Sequence, residues 1–139
     1  MLKHKGSIVH SVSSDSTVRD AVRLMNRQRI GAVLVIDQGQ LVGIFTERDV
    51  LVRVVDAERD PRTTIIADVM TAKVTTVSPE MRVSEALRLV TEQRMRHLPV
   101  MEGRRLLGLI SLTDLSGWTT QFLQAEVQYY ERTVNAPMA

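Results

Sequence analysis

The chain has 139 residues, of which 44% are hydrophobic and 4% aromatic, and its formal net charge is +2. This composition predicts one globular domain, or two small halves that share a core, and excludes a disordered chain. The absence of cysteine excludes disulfide bonds, thiolate catalysis and cysteine-based metal sites.

Basic and acidic residues are interspersed, which predicts that nucleic acid is not a partner. No apolar run approaches the ~20 residues of a membrane span, so we expect no membrane partner. Residues 1–10 lack the apolar stretch of a signal peptide. Together these features predict a cytoplasmic protein.

A helix followed by two strands is predicted in the first half of the chain. Apolar residues in segment 18–25 recur at helical spacing, and Asp15 or Ser16 can cap that helix. The run AVLVI at 32–36 is short, apolar and β-branched, which predicts a buried strand. Residues 37–40 contain a glycine and predict a hairpin turn into a second strand.

The same order of elements returns after a shift of 65 residues, because residues 12–50 align with 77–115 without a gap. Identical pairs include Ala21/Ala86, Arg29/Arg94, Gly43/Gly108 and Asp49/Asp114. In the second repeat, Ser78 is the candidate helix cap, and Pro99 predicts a strand start or an edge position. Each repeat is short, so we expect each to bury its apolar face against the other.

Three segments are predicted from this organisation. Residues 1–64 hold the first repeat and a polar connector at 56–64, and residues 65–120 hold the second repeat. Residues 121–139 form a tail, and an amphipathic helix is predicted within 118–139. That helix could contact a partner or second subunit, or it could pack on its own domain.

A hydroxyl residue followed three positions later by aspartate occurs at the same place in both repeats. The segments are GIFTERD (43–49) and GLISLTD (108–114). Thr46 and Ser111 are good helix N-caps, and an aspartate in the first turn complements the helix dipole. A helix start at the end of a buried strand also attracts phosphate, and a carboxylate can accept both hydroxyls of a ribose. The pattern is compatible with both capping and nucleotide binding.

The two repeats resemble a tandem pair of cystathionine-β-synthase (CBS) domains, also called a Bateman module, of the small stand-alone prokaryotic type. The matching segments are GAVLVIDQGQLVGIFTERDV (31–50), ADVMTAKVTTVSPEMRVSEALRLV (67–90) and RMRHLPVMEGRRLLGLISLTDL (94–115). The resemblance implies an α+β fold in which two βαββα repeats pack sheet to sheet with pseudo-twofold symmetry, followed here by a C-terminal helix.

The resemblance also implies that adenosyl nucleotides such as AMP, ADP, ATP, NAD(H) or S-adenosylmethionine bind in two clefts between the repeats. In such clefts the aspartate holds the ribose, the hydroxyl residue lies near phosphate, and apolar residues enclose adenine. One expected cleft is formed by Thr46, Arg48, Asp49, Thr71, Val74, Thr75, Met95, Arg96 and His97. The other is formed by Ser111, Thr113, Asp114, Val9, His10, Ile30, Gly31 and Ala32.

These two clefts are not equivalent in charge. Arg48 aligns with Thr113, and the pair Arg96-His97 aligns with Gly31-Ala32. Arginine suits phosphate because its donors are paired and fixed. The first cleft is therefore expected to prefer a charged phosphate, and the second a less charged adenosyl ligand or none.

The sequence predicts a regulatory ligand-sensing module that is not an enzyme and needs no cofactor. No catalytic residue and no metal ligand is predicted, because no triad, phosphate-binding loop or metal spacing occurs. The alternative is a structural protein-interaction module with vestigial clefts. The helices after each second strand carry more apolar residues than a lone surface helix needs, so we expect a homodimer and an unidentified downstream protein.

Overall fold

The computed structural model of the protein describes residues 9–118. Its elements are β1 (Ser11–Val12), α1 (Val18–Gln28), β2 (Ala32–Asp37), β3 (Gln40–Thr46), α2 (Glu47–Asp49), α3 (Val83–Gln93), β4 (His97–Glu102) and β5 (Arg105–Ser111). A π-helix, Val50–Val55, continues α2, and a 3-10 helix, Ile66–Asp68, follows the connector. A last helix, α4, occupies residues 112–118 at the end of the described range. The predicted two-repeat α+β fold is confirmed, whereas the predicted tail helix within 118–139 lies almost entirely outside the described residues.

Alternating side chains of the strands face two different cores. In β2, Val33 and Val35 pack with Ala21 and Met25 of α1 in the core of the first repeat. The intervening residue Leu34 faces the other way and packs in a central cluster. Because successive strand residues point to opposite faces, one apolar run can serve both cores.

The central cluster joins the two sheets. It contains buried Ala32, Leu34 and Ile44 of the first repeat, with Leu106 and Leu109 of β5 packed against them. A separate cluster, which includes Leu98, Val100 and Ile110, fills the second repeat. The clefts between the repeats therefore open at the margins of a sheet-to-sheet contact.

The two long helices begin later than the sequence analysis predicted. The N-cap of α1 is Thr17 rather than Asp15 or Ser16, and its side chain accepts from the Asp20 N–H. Neither is Ser78 a cap, because its carbonyl accepts from the Met81 N–H at 3.2 Å in a turn that precedes α3.

The first strand differs between the repeats because of Pro99. In the first repeat, the Leu34 N–H donates to the His10 carbonyl at 3.1 Å, and β1 pairs with β2 in parallel. Pro99 occupies the position that matches Leu34 and has no N–H to donate to Thr75, the match of His10. A single parallel bridge between Val77 and Val100 remains. The first strand of the second repeat is therefore reduced to this bridge.

Pro99 lies inside β4 and not at its start, opposite Leu109 of β5. Its carbonyl accepts from the Val77 N–H at 2.9 Å, so its nitrogen also faces away from β5. The proline therefore removes no hydrogen bond from the β4–β5 ladder, which explains why a strand interior accommodates it.

The chain segment that leads into the second repeat runs along β3. Ile44 and Thr71 exchange backbone hydrogen bonds of 3.0 and 2.9 Å. A Cβ atom on Gly43 would lie 2.5 Å from Met70 Sδ and 3.0 Å from the Thr71 carbonyl oxygen. Glycine at this position therefore lets residues 70–71 approach β3 closely and places Thr71 beside the end of that strand.

Candidate functional site

The larger of two cavities between the repeats has a volume of about 1060 Å³. It lies where β3 and α2 of the first repeat meet residues 71–75 and the loop that leads into β4. All nine residues predicted for the first cleft line it, namely Thr46, Arg48, Asp49, Thr71, Val74, Thr75, Met95, Arg96 and His97. The structure therefore brings together residues that lie as far apart in sequence as Thr46 and His97.

The smaller cavity has a volume of about 510 Å³ and lies at the start of α4. Seven of the eight residues predicted for the second cleft line it, namely Val9, His10, Ile30, Gly31, Ala32, Ser111 and Thr113. The exception is Asp114, which is not part of the lining. Ligand cavities in proteins commonly measure about 300–1,000 Å³, so both cavities have a useful size.

Asp49 closes a capping box at the start of α2. Its Oδ2 accepts from the Thr46 N–H at 2.9 Å and from the Thr46 hydroxyl at 3.2 Å. The Asp49 N–H donates in return to Thr46 Oγ1 at 3.3 Å. The carboxylate is buried, with 8% of the residue exposed. Asp49 is therefore a cap and a cavity-lining residue at the same time.

Asp114 caps α4 in a similar way. Its Oδ2 accepts from the Ser111 N–H at 2.8 Å, and its own N–H donates to Ser111 Oγ at 3.1 Å. This arrangement directs one carboxylate oxygen toward the helix start. The repeated motif thus has matching capping hydrogen bonds in both repeats, although of the two aspartates only Asp49 lines one of the two described cavities.

Arg53 lies beside Asp49 and was not among the predicted site residues. Its Nε lies 3.6 Å from Asp49 Oδ1. Its Nη1 donates to the carbonyl oxygens of Met70 at 2.8 Å and Val69 at 3.3 Å. Arg53 therefore connects the capped aspartate to the segment that leads into the second repeat. The arginine belongs to the π-helix, a rare conformation that often occurs at functional sites.

Basic side chains predominate around the larger cavity. Five of them line it, against the two carboxylates of Glu47 and Asp49; they are Arg48, Arg53, Lys73, Arg94 and Arg96. Apolar walls are supplied by Ile44, Val74, Val90 and Met95. This combination suits a ligand with an apolar ring and a negatively charged group.

The smaller cavity has a different charge balance. Arg29 and Arg96 line it together with the carboxylate residue Glu47. A Cβ atom on Gly31 would lie 3.1 Å from Glu47 Oε1, so this carboxylate packs over the glycine. The space beside Gly31 is therefore partly filled by a carboxylate.

Four residues line both cavities, namely Glu47, Arg96, His97 and Leu112. The sequence analysis assigned Arg96 and His97 to one cleft only. The pseudo-symmetry explains the difference: the Glu47 N–H donates to the Gly31 carbonyl at 3.0 Å, and the Leu112 N–H donates to the Arg96 carbonyl at 2.7 Å. These matching contacts place the corresponding parts of both repeats side by side. Glu47, Arg96, His97 and Leu112 therefore form a shared wall between the two cavities.

Other features of the described region bear on function. Residues 9–118 contain no group of three or more histidine, aspartate or glutamate side chains that could hold a metal ion. No helix in this part of the chain is long and apolar enough to span a membrane. Arg29 and Arg94 were missed as cavity residues, although their identity at matching positions of the repeats was a signal.

Comparison with known proteins agrees with this architecture. The family model of the CBS domain matches residues 7–56 and 66–118. The mitochondrial CBS domain-containing protein CBSX3 of Arabidopsis thaliana is 38% identical over 108 residues, which cover 74% of this chain. The match spans about half of that relative, 52% of its length.

Two solved structures are similar to this fold. A protein with CBS domains from Burkholderia ambifaria MC40-6 has a TM-score of 0.81 and 43% identity, with 84% of this chain and 85% of that chain covered. The hexameric CBS-CP12 protein from bloom-forming cyanobacteria has a TM-score of 0.71 and 33% identity, with 78% of this chain and 64% of that chain covered. CBS-domain pairs are generally regulatory or signal-transduction modules. The two family matches, the repeated fold and the paired cavities show that this chain belongs to the CBS-domain family and carries a tandem pair of CBS domains.

Proposed function

We propose that this CBS-domain pair is a regulatory, non-catalytic module that binds an adenosyl nucleotide between its repeats. The candidates are AMP, ADP, ATP, NAD(H) and S-adenosylmethionine. The observation that carries the proposal is the lining of the larger cavity, which combines a buried carboxylate, apolar walls and five basic side chains. Each component matches one part of a nucleotide.

The apolar walls suit the adenine ring. Val74 comes from the segment that leads into the second repeat, Met95 from the loop between α3 and β4, and Ile44 from β3. A methionine side chain is flexible and polarizable, so it packs well against an aromatic ring. These side chains can bury a base without any base-specific chemistry.

Asp49 suits the ribose. Its Oδ2 is engaged by Thr46, whereas Oδ1 has, among residues 9–118, only the ion pair with Arg53 at 3.6 Å. A carboxylate oxygen has more than one lone pair, so Oδ1 can still accept from a sugar hydroxyl. Capping and ribose binding thus use different oxygens of the same carboxylate.

The basic side chains suit phosphate. The excess of five basic groups over two carboxylates leaves a positive cavity even when Arg53 neutralises Asp49. Phosphate-bearing nucleotides such as AMP, ADP and ATP are therefore favoured over S-adenosylmethionine in the larger cavity. In the smaller cavity, Glu47 offsets one of two arginines, which favours a less charged adenosyl ligand.

A second candidate function is protein interaction with vestigial clefts. The π-helix supports it, because Leu51, Val52 and Val55 are exposed by 64%, 51% and 63%. We propose that a second copy of the chain covers this face, so the homodimer and the nucleotide-binding function are compatible. The two proposals conflict only if the clefts bind no nucleotide and the protein acts through protein contacts alone.

Calorimetric titration with AMP, ATP, NADH and S-adenosylmethionine tests the proposal. We expect saturable binding of at least one of them. The Asp49→Asn variant keeps an oxygen for the Thr46 N–H but loses the carboxylate, so AMP affinity should fall by about 1.5–3 kcal/mol. The matched variant Asp114→Asn should affect AMP less, because Asp114 does not line a cavity.

The ribose contact has its own control. 2′-deoxy-AMP should bind the wild-type protein more weakly than AMP, and Asp49→Asn should weaken it less than it weakens AMP. Absence of saturable binding for all four ligands would favour the interaction module. Equal AMP affinity in the wild type and in Asp49→Asn would exclude the proposed role of this carboxylate.

A further inference from the structure

Two arginines occupy the same unusual backbone position in the two repeats. Arg29 ends α1 with φ 53° and ψ 47°, and Arg94 ends α3 with φ 53° and ψ 40°. This left-handed conformation brings Cβ close to a backbone carbonyl oxygen, and glycine usually occupies such a helix end. In each repeat, therefore, an arginine occupies a position where glycine would relieve steric strain.

The left-handed conformation allows the chain to leave each helix and enter the next strand. The Ile30 N–H donates to Met25 O at 3.0 Å, and the Met95 N–H donates to Val90 O at 3.1 Å. These bonds close the last turn of each helix before the next strand begins. Glycine could adopt the same conformation at lower cost, so the chain path does not explain why both residues are arginine.

Both arginines line a cavity. Arg94 lines the larger cavity and Arg29 the smaller one. The other non-glycine residues with positive φ, Gln38 and Glu58, lie in turns of the described region and line neither cavity. Strained backbone at a ligand site indicates that the side chain has a function there.

Arg94 is available to a ligand. Its side chain is exposed, and within residues 9–118 no hydrogen bond or ion pair engages its guanidinium. Arg53, in contrast, is held by Asp49 and by the carbonyl oxygens of Met70 and Val69. Of the four arginines that line the larger cavity, Arg53 is therefore already engaged, whereas Arg94 can still bind a new partner.

We propose that Arg94 is a specificity-determining residue that binds the phosphate of a nucleotide in the larger cavity, and that its strained helix-end position is retained for this contact. The inference rests on the proposed nucleotide-binding function. Arg29 holds the corresponding place in the smaller cavity, which makes it a matched internal control.

The test compares three variants by AMP and adenosine calorimetry and by thermal melting. Arg94→Gly removes both the charge and the backbone strain, whereas Arg94→Gln removes the charge alone. Arg29→Gly removes the charge and the strain at the smaller cavity. Both Arg94 variants should lose about tenfold in AMP affinity, with adenosine affinity unchanged. Arg29→Gly should leave AMP binding in the larger cavity unchanged, because Arg29 does not line that cavity. The melting temperature should not fall in either glycine variant.

Three outcomes would overturn the assignment. Wild-type AMP affinity in both Arg94 variants would exclude a phosphate contact while leaving the nucleotide-binding function intact. Equal losses in Arg94→Gly and Arg29→Gly would show a long-range charge effect with no specific contact. Absence of AMP binding by the wild-type protein would overturn the role of Arg94 together with AMP as the ligand.

Discussion

Gly43 shows how a single residue connects the repeated motif to the cavity. It stands in β3 where residues 70–71 cross that strand, and a Cβ atom there would lie 3.0 Å from the Thr71 carbonyl oxygen. The Met70 side chain can move, but the backbone of Thr71 is held by two hydrogen bonds to Ile44. A methyl group at Gly43 would therefore displace a backbone segment that lines the larger cavity.

We expect Gly43→Ala to destabilise the protein by about 1–3 kcal/mol, as overpacking of a close contact does. Chemical denaturation measures this loss. Gly117→Ala is the matched control, because nothing lies within 4 Å of a Cβ there and alanine favours a helix. Gly117→Ala should leave the stability unchanged or raise it by up to about 1 kcal/mol. Equal stability of the two variants would contradict the close approach of residues 70–71 to β3.

At the scale of elements, a polar contact fixes the chain after β1 to the end of β2. The Ser14 hydroxyl and the Ser14 N–H both donate to the carboxylate of Asp37. These hydrogen bonds, with the hydroxyl contributing most, lower the pKa of Asp37 below its ordinary value of 3.8. The contact stabilises the charged form and thus ties β1 to the folded sheet.

The sign of the pH effect follows from that lowered pKa. Because the pKa of Asp37 is lower in the folded state, the contact is fully present above pH 3.8 and is lost as the pH falls through the folded-state value. We expect the melting temperature of the wild type to fall more steeply below pH 4 than that of Ser14→Ala. Melting curves between about pH 2.5 and 6 measure the difference. Parallel curves for the two proteins would show that this contact does not contribute.

The element pattern was predictable where apolar periodicity determines it. The strands at 32–36 and 97–101 and the helices that follow Thr46 and Ser111 were predicted from period and turn chemistry. The starts of α1 and α3 were missed, because several polar residues precede each of these helices and only tertiary contacts select among them. Thr17 is selected because its neighbour Val18 donates to Thr64 O at 2.9 Å, a contact 46 residues away in sequence.

The sequence predicted which residues line the cavities better than it predicted how they are arranged. The resemblance to CBS-domain pairs identified sixteen residues that line the two cavities, because its matching motifs lie at matching places in the two repeats. It did not identify Arg53, whose contact with Asp49 depends on the folded helix, or Arg94, although Arg94 is identical to Arg29 at the matching position. Nor did it show that Arg96 and His97 face both cavities, because proximity to the symmetry axis is a property of the folded chain.

At the scale of the whole molecule, the proposed homodimer rests on the exposed apolar face of the π-helix. Leu51 and Val52 also line the larger cavity, whereas Val55 does not. Burial of such side chains stabilises an interface by about 25 cal/mol per Å² of apolar surface removed from water. Val55 is therefore the residue at which assembly can be tested without changing the cavity.

We expect light scattering to give about twice the 15.6 kDa mass of the chain for the wild type. Val55→Glu should shift the protein toward 15.6 kDa, because a charge would be buried in the interface. Gln40→Glu adds a negative charge at an exposed position of β3 and should leave the dimer unchanged. A wild-type mass of one chain at tens of micromolar would contradict the homodimer.

The shared wall has an evolutionary consequence. In a duplicated gene, two binding sites can usually diverge because each has its own residues. Here a substitution at Glu47, Arg96, His97 or Leu112 alters the lining of both cavities at once. A residue that lines one cavity alone, such as Arg48 or its counterpart Thr113, can change that cavity while the other is preserved. Under the proposed function, the ligand preference of one cavity can change independently through residues that line that cavity alone. It cannot change independently through the four residues of the shared wall.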